Sequence, residues 1–158
     1  MAVDNSVNID DDPDQIKRQI RHSITRFLAR REHSCVELVR KLKQKDYEHE
    51  MIIEGLTPFV ERGLQSDHRY AEVFVRSCFE KGKGPAFIEQ SLQQHDIESH
   101  IIQTLIQDEA YDWYEAAFRV RAKRFGEPLP SEWDDVQKQK RFLQYRGFSQ
   151  THIKEVFS

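Results

Sequence analysis

Ser66-Asp67-His68-Arg69-Tyr70-Ala71-Glu72-Val73-Phe74-Val75-Arg76-Ser77, then Lys81-Gly82-Lys83-Gly84-Pro85, then Ile88, Leu92, Ile97, Ile101, Ile102, Leu105 and Ile106, reads as three short helices separated by two breaks. Tyr70, Phe74 and Val75 recur at four and five residues, the spacing of one helical face. Gly82 and Gly84 interrupt that helix. Pro85 suits the first turn of the next, where a missing N–H leaves no intrahelical bond unmade. Leu92 follows Ile88 by four, and a third helix carries Ile101, Ile102, Leu105 and Ile106. Helices shorter than about 12–15 residues are marginal alone in water, so these must pack on one another.

The same register recurs on either side. Leu42, Leu92 and Leu143 stand fifty and fifty-one residues apart; so do Tyr47, Ile97 and Phe148, and Ile52, Ile102 and Ile153. Three apolar positions held through three copies are the mark of a repeat architecture. The fold expected is all-α, with three tandem three-helix repeats forming an elongated curved array. An acidic, disordered tail over 1–15 precedes triads over 16–65, 66–107 and 108–158.

In the first triad Ile16, Ile20, Ile24, Phe27 and Leu28 mark a helix. Ser34 is placed to cap the second, with Glu37 three residues on as a capping-box partner. The third is expected to stop at Thr57-Pro58, with Thr57 capping a separate short turn that Gly63 ends. In the last triad a long helix is expected over Asp108–Phe125. Gly126-Glu127-Pro128-Leu129-Pro130 breaks it, Ser131 caps the next helix, and Gly147 closes that one in a left-handed conformation.

The chain has 158 residues, 32% of them charged, with six Gly and five Pro, which suits helices rather than a β-sandwich. Cys35 and Cys78 show no framework spacing and are expected as small buried hydrophobes in a reducing compartment. No apolar run approaches the ~20 residues of a membrane span, and no signal-peptide pattern opens the chain. A cytoplasmic location without membrane association is therefore expected. Charge is uneven. Residues 1–15 carry five Asp and no base, 16–46 hold ten Lys or Arg against three acids, and 119–146 hold eight against four.

The residues also resemble a known family. Leu28-Ala29-Arg30-Arg31-Glu32-His33-Ser34 with Glu37-Leu38 and Lys41-Leu42 carries the likeness in the first triad. Asp67, Arg69-Tyr70-Ala71, Phe74-Val75, Lys81-Gly82, Gly84-Pro85 and Ile88 carry it in the second. With Arg124-Phe125-Gly126-Glu127-Pro128-Leu129-Pro130 and Arg141-Phe142-Leu143-Gln144-Tyr145-Arg146-Gly147-Phe148, the chain after residue 16 resembles the RecX family in its proteobacterial branch. Two positions depart from the pattern: Gln65-Ser66 stands where leucine-aspartate is expected, and Cys78 where a polar residue is usual. The resemblance implies a modulator of the RecA recombinase in DNA repair, DNA recombination and the SOS response. Such a protein binds the groove of the RecA–single-stranded DNA filament. It inhibits filament extension, strand exchange, ATP hydrolysis and co-protease activity, as a monomer, without cofactor or catalysis.

A binding surface for such a filament calls for positive charge. Arg119, Arg121, Lys123 and Arg124 at the end of the long helix, with Lys138, Lys140, Arg141 and Arg146 on the next, form the principal candidate set. Arg69, Arg76 and Lys83 continue it through the middle repeat. Surface lysines and arginines are often only solvated, but a cluster of one sign repels itself unless a partner relieves it. The first triad's bases rank second, and Tyr114, Tyr145 and Phe148 are aromatic residues that either stack on bases or fill the core.

Two other functional classes fit the residues less well. A stand-alone single-stranded nucleic-acid-binding helical repeat normally carries a larger excess of base than the whole chain's net −3, although weak direct DNA binding is expected. An enzyme would need converging carboxylates, histidines or an activated nucleophile. The seven His show no i, i+4 pair for a metal, and Lys81-Gly82-Lys83-Gly84 lacks the closing Lys-Ser/Thr of a phosphate loop. No metal site is expected.

Overall fold

The computed structural model describes residues 12–158, which form nine α-helices and no strand. They divide after Tyr70 into two compact units.

The first unit holds α1 (Pro13–Arg30), α2 (Cys35–Lys43) and α3 (His49–Glu61). The start of α1 corrects the expected tail. Asp12 caps the helix by accepting the Asp14 N–H at 3.2 Å, and Pro13 occupies its first turn. Asp12 to Gln15 thus belong to the helix and its cap; the rest of the expected tail lies outside the described residues. Ile20 and Ile24 from α1, Leu38 and Leu42 from α2, and Ile52 and Leu56 from α3 close the core with Tyr47. Each fully buried Leu or Ile contributes about 1.5–3 kcal/mol relative to exposure.

Ser34 caps α2 as expected, its hydroxyl accepting the Glu37 N–H at 3.1 Å. The Glu37 carboxylate takes both arms of the Arg31 guanidinium, at 2.9 and 2.8 Å. A second correction concerns α3, which runs unbroken through Pro58. The proline withholds one hydrogen bond, from the Glu54 carbonyl, but the helix needs only three further residues. Leu56 and Phe59 on either side are packed into the core, and that burial outweighs one lost bond. Thr57 is therefore an interior residue, its hydroxyl donating to the Ile53 carbonyl at 2.7 Å. Gly63, at φ +70, ends the segment.

The unusual Gln65 is buried and busy. Its amide donates to the His33 carbonyl and to Asp67, at 3.1 and 2.9 Å, and its oxygen accepts the Cys35 thiol at 3.1 Å. Asp67 in turn accepts the Cys35 N–H, the first of α2, at 2.9 Å. Burial, then the Asp67 charge and hydrogen bond, push the Cys35 thiol up to about 11. Cys35 and Cys78 are both free thiols.

The division between the units falls within α4 (Asp67–Glu80), and the second unit continues through α5 (Pro85–Gln93), α6 (Ser99–Ile106), α7 (Trp113–Phe125), α8 (Trp133–Tyr145) and α9 (Gln150–Val156). Here α7 starts five residues later than expected. Asp108 instead folds a turn, its carboxylate accepting the Ala110 N–H at 2.8 Å, and Asp112 is the true cap. The turn lets the Trp113 indole donate to the Ile106 carbonyl at 2.8 Å, tying α7 to the end of α6. Ser131 is not a cap either. Glu132 occupies that position without a side-chain bond, and Asp134 and Asp135 in the first turn favour the helix dipole instead.

The repeat register is visible in burial. Leu42, Leu92 and Leu143 are fully buried, and the Tyr47 and Ile52 series are buried in all three copies. The register extends to the backbone: Asp46, Asp96 and Gly147, at the same spacing, have φ of +66°, +54° and +98°. Each turns the chain between the second and third helices of its repeat.

Gly147 has a second task. Gly84 N–H donates to the Arg146 carbonyl at 2.7 Å, and Ala86 N–H to the Gly147 carbonyl at 2.9 Å. The two backbones lie so close that a Cβ on Gly84 would sit 2.4 Å from the Gly147 carbonyl carbon. One on Gly147 would sit 2.6 Å from the Phe87 nitrogen. Only glycine fits at either position.

Candidate functional site

The Gly84–Gly147 junction brings the turn after α4 against the end of α8, and α7 closes the third side. The result is a cleft of about 470 Å³ lined by Lys81, Arg119, Lys123, Arg124 and Arg146, with Val120 and Phe142 as its apolar wall. Glu80 is the one carboxylate residue lining it. Beside it, sharing Phe142 and Arg146, lies an open shelf lined by Lys83, Lys138, Arg141 and Tyr145.

Four of these cations are positioned by aromatic rings. The Arg119 guanidinium lies 5.2 Å from the Phe79 ring centre, Arg124 5.6 Å from Phe125, Arg146 5.3 Å from Phe142, and the Lys83 ammonium 4.8 Å from Phe87. Phe125 and Phe142 meet edge to face at 5.2 Å, and Phe79 packs against Tyr111 and Trp113 at 5.0 and 5.3 Å. A ring face attracts a cation without neutralising it. Among the described residues, none of these four cations is paired with a carboxylate. The charge is fixed in place and left available to an anionic partner.

Seven of the eleven residues expected to form the contact set therefore meet on one face of the second unit: Arg119, Lys123, Arg124, Lys138, Arg141, Arg146 and Lys83. Arg121 does not, and its assignment is corrected. It is 3% exposed; its guanidinium donates to the Gln139 side chain at 3.0 Å and to the Gly126 and Glu127 carbonyls, both at 2.8 Å. It holds the break after α7 in place and has no surface to offer. Lys140 leans over the Phe157 ring at 5.7 Å, and Arg76 is exposed on α4; neither lines the cleft or shelf. Arg69 belongs to the first unit, where it bonds Glu32 at 2.9 Å and the Gly63 and Leu64 carbonyls at 2.8 and 3.2 Å. Those bonds commit it to its own fold.

In the first unit, Lys17 and Arg31 are paired with carboxylates and two lysines lie over a ring. Lys17 pairs with Glu54 at 3.1 Å and Arg31 with Glu37. Lys41 and Lys45 lie over the Phe27 ring at 4.9 and 5.2 Å. Burial and the Arg26 charge hold Lys45 below the usual lysine range.

Lys81 was missed as a site residue, because its place in the cleft depends on a contact between repeats that local periodicity does not report. The burial of Arg121 did leave a trace. Leu38, Ile88 and Gln139 share the repeat register, so a glutamine stands at a core position and needs a buried polar partner. Among the described residues no helix is long and apolar enough to cross a membrane, and no three His, Cys, Asp or Glu side chains gather as a metal would require.

Three family descriptions match in sequence order: the first three-helix domain of RecX over residues 21–54, the second over 66–106 and the third over 110–157. Proteins named regulatory protein RecX are similar over most of their length. That of Halorhodospira halophila is 37% identical over 135 residues, 85% of this chain and 84% of its own. That of Pseudomonas fluorescens is 37% identical over 139 residues, 88% and 90%. A crystal structure of regulatory protein RecX matches with a TM-score of 0.75 at 24% identity, covering 89% of this chain and 71% of that one. RecX from Lactobacillus salivarius matches at 0.72 and 22%, covering 89% and 94%. The two structural likenesses speak for the fold.

Proposed function

The chain belongs to the RecX family of regulatory proteins, and from that membership we propose that it is a negative modulator of RecA. It acts by binding rather than by catalysis, docking into the groove of the RecA filament on single-stranded DNA. There it limits filament extension, and with it strand exchange, ATP hydrolysis and cleavage of the SOS repressor. The observation that supports this most directly is the cleft of the second unit, where five cations face a single carboxylate residue. Such a surface repels itself and is relieved by phosphates or by acidic side chains. Three of its cations, Arg119, Arg124 and Arg146, are held against rings, so little ordering of these side chains is required on docking.

The test is RecA-catalysed, DNA-dependent ATP hydrolysis with increasing amounts of this protein. Inhibition below one molecule per RecA protomer is expected, and is expected to be lost when Arg119, Lys123, Arg124 and Arg146 are changed to Ala in a variant that keeps its helicity. Failure of the native protein to inhibit at excess would end this reading. Equal inhibition by both proteins would keep the function and move the interface off this face.

A further inference from the structure

Tyr145 is the feature that an anion-binding cleft does not explain. Its side chain is 91% exposed, at the end of α8, on a shelf shared with Lys83, Lys138, Arg141 and Arg146. Lys138, Arg141 and Tyr145 follow one another by three and four residues, which places them on one face of the helix. A large ring left in water gives up the burial that aromatics normally contribute to a fold. Ringed by cations, it combines the two features that bind an unpaired nucleic-acid strand: charge for the phosphates and a flat apolar surface for a base.

We propose that this shelf is a single-strand-selective nucleic-acid site, with the Tyr145 ring stacking one base and the cations of shelf and cleft holding the flanking phosphates. A duplex keeps its bases stacked inward and offers the ring nothing, so the site prefers single strands. An acidic peptide would use the cations and leave the ring idle. The proposal deepens the reading of this face as the partner-binding surface and rests on it, yet it concerns direct binding of the strand by this protein alone.

The experiment is fluorescence anisotropy of the full chain with three labelled probes of equal phosphate count: oligodeoxythymidylate, its abasic counterpart and a duplex. Oligodeoxythymidylate is expected to bind most tightly. Tyr145→Ala is expected to weaken it about tenfold while leaving the abasic probe unchanged, and Tyr145→Phe, which keeps the ring, to restore it. The slope of log affinity against log salt, roughly 0.7 per phosphate contacted, should be unchanged in Tyr145→Ala and shallower in Arg119→Ala/Lys123→Ala/Arg124→Ala. Equal affinity of native protein for base-bearing and abasic strands, tighter binding of duplex, or no effect of Tyr145→Ala would each overturn the proposal. Native protein that slows RecA ATP hydrolysis but binds no free strand overturns it and leaves the RecA reading standing. Stacking-dependent binding without effect on RecA supports the site and removes the RecA reading.

Discussion

His33 is 2% exposed, and its two ring nitrogens have opposite duties. Nδ1 donates to the Arg31 carbonyl and Nε2 accepts from the Lys41 ammonium, each at 3.0 Å. That arrangement requires the neutral ring. Burial, with the charges of Arg31 and Lys41, lowers its pKa against the opposing pull of the Arg31 carbonyl bond and Glu37. A folded pKa below the unfolded value means that the unfolded chain takes up protons first as pH falls. Stability is thus full above about pH 6.5 and declines below it. Urea midpoints at pH 7.5 and 5 should show the drop, and His33→Gln should lessen it; an unchanged slope would locate the titration elsewhere. Glu37, close by, behaves differently. Burial raises its pKa, but the two Arg31 bonds and the surrounding positive charges outweigh that, and the carboxyl lies below its ordinary value. At the same scale, Asp96 and Gly147 share a left-handed conformation for different reasons. Asp96→Gly, which removes the Cβ strained in that conformation, should stabilise the chain by up to about 1 kcal/mol in a urea titration. Gly147→Ala should cost well above that in a urea titration, because the new methyl meets the Phe87 backbone.

At the scale of elements, α7 and α8 meet through Arg121 and Gln139, which occupy core positions without being apolar. The Arg121 Nε is buried without a partner, so the pair is a weak point rather than a source of stability. Arg121→Ala alone should cost several kcal/mol, since it strands the Gln139 amide and the two loop carbonyls. Arg121→Met with Gln139→Leu should restore much of that loss in thermal melts, and should leave inhibition of RecA intact. Loss of inhibition in a fully stable double variant would return Arg121 to the binding set. This pair also marks where reading the chain worked and where it failed. The Leu42 and Ile52 series were legible because burial on a helix repeats locally, the Tyr47 series because its apolar residue recurs at one place in the connection between helices, and the glycine breaks because they need a special backbone. Pro58 misled because the packing of Leu56 and Phe59 overrides a local preference that the sequence states clearly. Arg121 misled because an arginine at a helix end looks the same whether it faces solvent or a neighbouring amide.

At the scale of the whole molecule, three helical domains of one family are strung along the chain, and the candidate site belongs to the second unit alone. That unit's last two repeats are joined by backbone rather than by side chains at Gly84 and Gly147. Gly84→Ala should destabilise the chain by at least about 2 kcal/mol, since a backbone neighbour cannot swing aside. It should also lower RecA inhibition while most helicity remains. Retention of full activity and stability would show that the junction yields more than its contacts imply. The junction also has a consequence for how the protein is made. Lys81 leaves the ribosome long before Arg146, and the carbonyl that receives the Gly84 N–H belongs to Arg146 itself. A nascent chain carries the earlier charges but has no cleft until Arg146 and Gly147 have emerged. Products interrupted or clipped before Arg146 would keep Lys81, Arg119, Lys123 and Arg124 but lack the junction that gathers them into a cleft.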